Sequence, residues 1–263
     1  MRILFSGDVA WRSGRMALRS LLPSLRQSYG PFDFVVVNCE NAAHGKGMTE
    51  KIYDEFTQLG VDAMTSGNHI WDKSAFFSIL DSKPNIFRPA NYHHSTCPGR
   101  GSGIIECNGK KLGILNLQGQ VFMPPINSPF TCADKKIEEL KSQVETPLAI
   151  IVDFHAEATS EKQAMGHYLD GRVSAVLGTH THVQTADEQI LPSGTAYISD
   201  VGMTGGQGGI LGVKSENAIP KFLNGMPTKF EPCEDNPAFC GVVLEINDET
   251  GLATRITRLN VGV

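Results

Sequence analysis

The sequence predicts an α/β domain whose last third turns β-rich. Three observations predict it. Short apolar, β-branched runs alternate with helical patterns through the first two-thirds of the chain; helix caps and stops stand where those patterns change; and the C-terminal stretch gives strand patterns broken by turns, with one short helix. The 263 residues are 41% hydrophobic and 19% charged, enough to bury a sizeable core. No repeat, low-complexity tract or linker divides them, so residues 1–263 are expected to form one domain.

In chain order, RILFSG (2–7) reads as a strand and RMALRSLLPSLRQSYG (15–30) as a helix stopped by Gly30, with Pro23 a point where it splits or kinks. FDFVVVN (32–38) is a buried strand. TEKIYDEFTQLG (49–60) is a helix with Thr49 as N-cap and Gly60 as its stop. VDAMTSG (61–67) is a short strand and DKSAFFSILDS (72–82) a helix. GSGIIEC and KKLGILNLQG form an antiparallel pair around the turn NGKK (108–111). Residues 132–144 and 160–171 are helices, and 147–154 and 172–179 strands. Strands follow in QILPSGTAYISD, FCGVVLEIND and ATRITRLNV, with a short helix near SENAIPKFLNG. The glycine-rich stretch VGMTGGQGGILG (201–212) reads as a loop whose backbone could approach a ligand.

The net charge of −5 argues against a broad surface for nucleic-acid backbones. The apolar part of MRILFSGDVA is too short for a signal-peptide core, and no run is long enough to span a bilayer. The six cysteines form no C-x-x-C pair, which favours reduced thiols and a cytoplasmic protein.

The informative feature is where polar residues fall. The first strand ends at Asp8, the second at Asn38, Glu40 and Asn41, and the third at Asn68 and His69. AIIVDFHAE supplies Asp153, His155 and Glu157, and VLGTHTH supplies His180 and His182. Taken singly, Asp8 or Asn68 reads as a turn residue, Glu40 and Asn41 as a solvated loop, and His155 as a satisfied strand-end histidine. Taken together at five successive strand ends, they fall where loops of a parallel sheet converge on a ligand. Asp, Glu, Asn and His without cysteine suit manganese, iron or zinc. The donors exceed the needs of one ion, and two ions sharing a carboxylate, roughly 3.5–4 Å apart, are a recurring device for displacement at phosphorus. His44, His93, His94 and His167 lack this placement. Asp153 points to the opposite face from its neighbour if the strand persists, which makes it a supporting rather than a ligating group.

The ordered set GD (7–8), NCEN (38–41), GNH (67–69), His155 and GTHTH (178–182) resembles the calcineurin-like metallophosphoesterase superfamily. The longer strings NCENAAHGKG, GNHIWD, RPANY, VDFHAEATSEKQA, GTHTHVQTAD and DVGMTGG look like the YmdB-type bacterial 2′,3′-cyclic-nucleotide 2′-phosphodiesterase family, from Arg2 to about Leu259. The resemblance implies a four-layer α/β/β/α sandwich of two mixed sheets flanked by helices. It implies that Asp8, Asn41 and His182 hold one metal and Asn68, His155 and His180 the other, with Glu40 bridging. His69 would be the acid toward the leaving oxygen. Two iron or manganese ions, a metal-bridging hydroxide nucleophile and cleavage of the bond to O2′ complete the expected chemistry. The wider superfamily usually begins GDxH, but Ala10 stands at that histidine, leaving Asn41 as the substitute; the closer family commonly reads Val-Gly after the Asp, whereas here Val9 is followed by Ala10-Trp11, a bulky ring that narrows the mouth or simply packs.

The expected partner is a small cyclic nucleotide, with no stable nucleic-acid complex and no membrane, and a homo-oligomer is compatible with the sequence. Two other readings stand beside this one. A general metallophosphatase for phosphomonoesters or phosphoproteins would share the metal shell, and a regulatory protein could bind a nucleotide or RNA with weak turnover.

Overall fold

The computed structural model describes residues 1–93, 96–145 and 147–263; His94 lies outside them. The first part of the chain lays down β1 (Arg2–Ser6), β2 (Asp8–Val9), α1 (Trp11–Tyr29), β3 (Phe34–Asn38), α2 (Glu50–Gln58), β4 (Ala63–Thr65), α3 (Phe77–Ser82) and β5 (Ile86–Phe87). The middle adds β6 (Ser102–Cys107), β7 (Lys110–Gln118), α4 (Pro129–Lys141), β8 (Ala149–His155), α5 (Thr159–Tyr168) and β9 (Ala175–Thr179). The last part gives β10 (Gln189–Ile190), β11 (Ala196–Ile198), β12 (Met203–Gly206), α6 (Ser215–Asn224), β13 (Pro237–Ile246) and β14 (Ala253–Gly262).

Two mixed sheets result. One runs β2-β12-β13-β1-β3-β4-β5, with β14 also paired to β13; the other runs β10-β11-β9-β8-β7-β6. Strands β1, β3, β4 and β5 are mutually parallel, as are β7, β8, β9 and β11, so their carboxyl ends fall at one end of each sheet. The apolar runs read from the sequence are buried on both faces, as parallel strands require. In β3, Val35 and Val37 pack outward against Leu18, Leu22, Leu25 and Phe56 of α1 and α2, while Phe34 and Val36 face the second sheet. In β8, Ile151 faces the first sheet, while Ile150 and Val152 pack outward with Ile137, Leu140 and Met165 of α4 and α5. The order helix, sheet, sheet, helix is the four-layer sandwich expected.

Several local expectations are met. Thr49 caps α2 by accepting from Ile52 N, and Gly60 follows the helix at φ 79°. Asn108 and Gly109, at φ 50° and 77°, form the turn joining β6 to β7. Others are corrected. Helix α1 starts at Trp11 and runs unbroken through Pro23. An interior proline costs about 3 kcal/mol, but the buried stripe Leu18, Leu21, Leu22 and Leu25 outweighs it at about 1.5–3 kcal/mol per side chain. The helix expected over 72–82 is split into a 3₁₀ turn, Ser74–Phe76, and the short α3. The glycine-rich stretch is not wholly loop, because Met203–Gly206 forms β12, pairing parallel to β2 and antiparallel to β13.

Candidate metal centre

The carboxyl ends of β1, β3, β4, β8 and β9 converge as the sequence placement predicted. Glycines permit the approach. A Cβ on Gly7 would lie 1.9 Å from the Gly202 carbonyl oxygen, and one on Gly67 would lie 2.2 Å from both Glu40 Oε2 and His155 Nε2. No other residue fits at either position without moving backbone or ligand-bearing side chains.

Asp8 is fully buried in β2; its Oδ2 accepts from the His180 backbone N–H at 3.1 Å, while its Oδ1 lies 3.7 Å from His155 Nδ1 and has no hydrogen-bond partner among the described residues. Beyond β3, Asn38 ties the turn in place: its Oδ1 accepts from Glu40 N at 3.0 Å and its Nδ2 donates to Asp153 Oδ2 at 2.8 Å, across the two sheets. Glu40 Oε1 lies 2.9 Å from His155 Nε2, and Oε2 accepts from His69 N at 3.1 Å. Asn41 donates to Gly45 O at 2.9 Å, which turns its Oδ1 toward His182 Nε2, 3.1 Å away. The buried Oδ1 of Asn68 is likewise without a partner.

His155 is completely buried at the end of β8. Thr179 Oγ1 donates to Asp153 Oδ1 at 2.7 Å, so it accepts from His155 Nδ1–H at 2.9 Å. That relay leaves Nε2 as the atom that could bind a metal once the ring is neutral. Asp153 therefore shares the inner face with His155, two residues on, and acts beneath it as a supporting group. The opposite-face expectation holds only with respect to Phe154, which packs in the outer core with α4 and α5.

His180 Nδ1 lies 3.1 Å from His155 Nε2, and its Nε2 lies 3.0 Å from the exposed Glu157 carboxylate. His180 and His182 both adopt positive φ, 99° and 65°, a strained choice for non-glycine residues that persists only when neighbours over-determine it. Buried Asp200 is that neighbour. Its Oδ2 accepts from Thr181 N at 3.0 Å and Thr181 Oγ1 at 2.6 Å, and pairs with buried Lys162 Nζ at 2.7 Å.

Electrostatics couple these groups. Burial works against the Glu40 anion, but the charge and hydrogen bond of His155, with His69, outweigh it and hold Glu40 at about 2. Burial likewise works against the His155 cation, and Glu40 and Asp8 outweigh it, raising the ring to about 9. His180 is pushed down to about 3 by burial and by His155. A divalent cation would take the place of the His155 proton, since metal ligands bind deprotonated. The donor set fits such an ion: atoms of Glu40, His155 and His180 lie within 4.8 Å of one another, and Asp8 Oδ1 and Asn68 Oδ1 are buried acceptors that receive no hydrogen bond from the described residues.

His69 stands at the rim, 28% exposed, its Nδ1 2.6 Å from Asp72 Oδ2. Trp11, at φ 62°, occupies a left-handed position suited to glycine. Its ring lies over Gly45, where a Cβ would come within 2.4 Å, and its Nε1 lies 3.4 Å from the Cβ position of Gly212. It packs between two loops beside Asn41. The stretch Gln207–Gly212 lines a cavity of about 460 Å³ with His182, Gln184 and Met203. His44, His93 and His167 are exposed.

The sequence profile of the YmdB-like protein family matches residues 4–259. This chain belongs to the YmdB-like family. It is 52% identical over 259 residues to the 2′,3′-cyclic-nucleotide 2′-phosphodiesterase of Bacillus subtilis (strain 168), covering 98% of this chain and 96% of that protein. Among solved structures, a phosphatase from Mycoplasma pneumoniae superposes with a TM-score of 0.91 at 35% identity, covering 100% of this chain and 93% of that one. A protein from Thermus thermophilus superposes with a TM-score of 0.89 at 40% identity, covering 100% and 99%. This YmdB-like chain is a hydrolytic enzyme of the metallophosphoesterase type, acting on phosphate esters, and its fold implies divalent metal ions.

Sequence reasoning missed two partners. Asp72 follows His69 by three residues on one helical turn, a spacing that brings side chains together. Asp200 ends AYISD, one more carboxylate at a strand end. Its pairing with Lys162 has no signal in the sequence.

Proposed function

We propose that this enzyme hydrolyses 2′,3′-cyclic nucleotides at the bond to O2′ and releases 3′-nucleotides, using two iron or manganese ions. One observation carries the two-ion reading. The resemblance divides the donors around Glu40 into Asp8–Asn41–His182 and Asn68–His155–His180, and each set contains one buried acceptor oxygen, Asp8 Oδ1 or Asn68 Oδ1, with no hydrogen-bond partner among the described residues. The substrate class rests on the name of the B. subtilis relative and the extent of the likeness. When bound, the ions would supply Lewis acidity toward the phosphoryl oxygens and lower the pKa of a coordinated water toward neutrality.

The chain's own residues do the rest. Asp8, Glu40, Asn41, Asn68, His155, His180 and His182 would hold the ions. The relay from Asp153 through Thr179 holds the His155 ring, and Asp200 holds the turn bearing His180 and His182. Asp72 Oδ2 accepts from His69 Nδ1–H at 2.6 Å and fixes the ring, which leaves Nε2 as the nitrogen from which a proton would be given. As the oxygen of water adds to phosphorus and the P–O2′ bond breaks, that proton goes to O2′, which otherwise leaves as a poor alkoxide. The test is turnover of 2′,3′-cyclic AMP by manganese- or iron-loaded protein with chromatographic product identification. Formation of 3′-AMP supports the reading. Hydrolysis confined to phosphomonoesters points to a general phosphatase, and two bound metals without turnover to a regulatory protein.

A further inference from the structure

β7 ends on Gln118, a fully buried residue that stands in register beside His155 on β8. Leu112 and Ile114 of β7 face the core between the sheets, and the two-residue strand period carries that face to Gln118. Gln118 and His155 are thus neighbours at the same end of the inter-sheet layer, about 4.8 Å apart strand to strand.

The side chain and the backbone of Gln118 are each held by a neighbour. Its Oε1 accepts from the Tyr92 hydroxyl at 2.8 Å. The Tyr92 oxygen is itself hydrogen-bonded by the Trp71 indole, which can only donate, so the tyrosine proton goes to Gln118. The indole and phenol rings meet edge to face at 5.3 Å, which holds this relay. On the backbone, Gln118 N donates to Asn91 Oδ1 at 2.9 Å and Gln118 O accepts from Asn91 Nδ2 at 2.7 Å. With the oxygen committed, Nε2 remains, buried, with no acceptor among the described residues. A buried donor left unmade costs about 1–3 kcal/mol. Here Tyr92 holds the amide by its oxygen and Asn91 holds the backbone that carries it, so the donor is kept in one orientation.

We infer that Gln118 is a substrate-binding residue whose Nε2–H₂ donates to an oxygen of the substrate's phosphate, beside the metal centre. Tyr92, Trp71 and Asn91 are its positioning residues. This rests on the phosphodiester reading above. It gives the site a neutral, oriented donor for an anion whose other oxygens meet the ions, and a hydrogen bond of that kind to a charged oxygen is worth about 10- to 100-fold in affinity.

The test compares wild type with Gln118→Met, which keeps the length of the side chain and removes the donor. Four quantities are read: metal content, Tm, kcat/KM for 2′,3′-cyclic AMP, and the calorimetric affinity of the metal-loaded protein for inorganic phosphate. The expected result is a 10- to 100-fold loss in both kcat/KM and phosphate affinity, with metal content and Tm near wild type. Unchanged phosphate affinity overturns the inference, whether or not Tm falls, because a purely structural role moves Tm alone. Should Gln118→Met fail to fold, Tyr92→Phe keeps the donor and frees its orientation. A three- to tenfold loss of phosphate affinity is then expected, and no loss overturns the inference. If wild type hydrolyses no phosphodiester, the functional reading fails instead.

Discussion

The two ends of the sandwich are made by the same strands and bury different things. At the amino ends of β1, β7 and β8, a cavity of about 520 Å³ is lined by Met1, Lys110, Gln143 and Asp248 among others. Charges in and beside it are paired at the surface: the Met1 amino group lies 2.7 Å from the exposed Asp248, Arg2 lies 2.8 Å from Glu245 and Lys110 lies 3.1 Å from Asp33. At the carboxyl ends, Asp8, Asn38, Glu40, Asp153, His155 and Asp200 are all at most 1% exposed, and Asp8 Oδ1 and Asn68 Oδ1 accept no hydrogen bond from the described residues. Exposed pairs contribute little, whereas unpaired buried acceptors are costly and persist where something else is to occupy them. Concavity is common to both ends, and only the second carries chemistry.

The largest expected effect is at the centre of the polar end. Glu40→Ala removes the group shared by both halves, so metal content measured by elemental analysis falls toward zero and phosphodiester turnover is lost; a metal-replete, active Glu40→Ala protein breaks the comparison. Next, His69→Ala keeps its metals and loses about 10²–10⁴-fold in kcat. Loss of metal instead would make His69 a ligand. Lys162→Met leaves Asp200 buried and unpaired, and urea unfolding should show a destabilisation of about 3–5 kcal/mol. A change under 1 kcal/mol would mean that the turn holding His180 and His182 does not depend on that pair. The smallest effect belongs to the opposite end: Lys110→Ala changes stability by no more than about 1 kcal/mol and leaves kcat/KM as in wild type. A loss of activity there would erase the distinction between the ends.

Much of this polar end was legible before any coordinates, because each strand carries its own signal. β-branched runs bounded by glycine and asparagine identify β3, β4, β8 and β9, and the residue that follows each run must emerge at its carboxyl end. Asp8, Glu40, Asn68, His155 and His180 could therefore be placed from local pattern alone. What local pattern could not supply is pairing across distance. Lys162 reads as one more surface charge on a helix, yet it is buried against Asp200, 38 residues on. Gln118 reads as the polar end of a hairpin strand until Tyr92 and Trp71 are seen to orient it. The loop reading of 201–212 failed at Met203–Gly206 because a four-residue glycine-rich strand has no side-chain periodicity to read; its partners β2 and β13 create it.

By itself, then, the sequence determined the alternation of strands and helices, the strand ends that carry the candidate metal-binding groups and the glycines that let them approach. These are short-range properties, set by backbone sterics and by which face of each element must leave water. Tertiary structure alone decided which nitrogen of His155 is turned inward, which carboxylate holds the His180–His182 turn, that α1 runs through Pro23, and that a buried amide is left with a donor to give. Each of those depends on groups tens of residues apart in the chain meeting in a low-dielectric interior, where a hydrogen bond made or unmade is worth enough to choose the geometry.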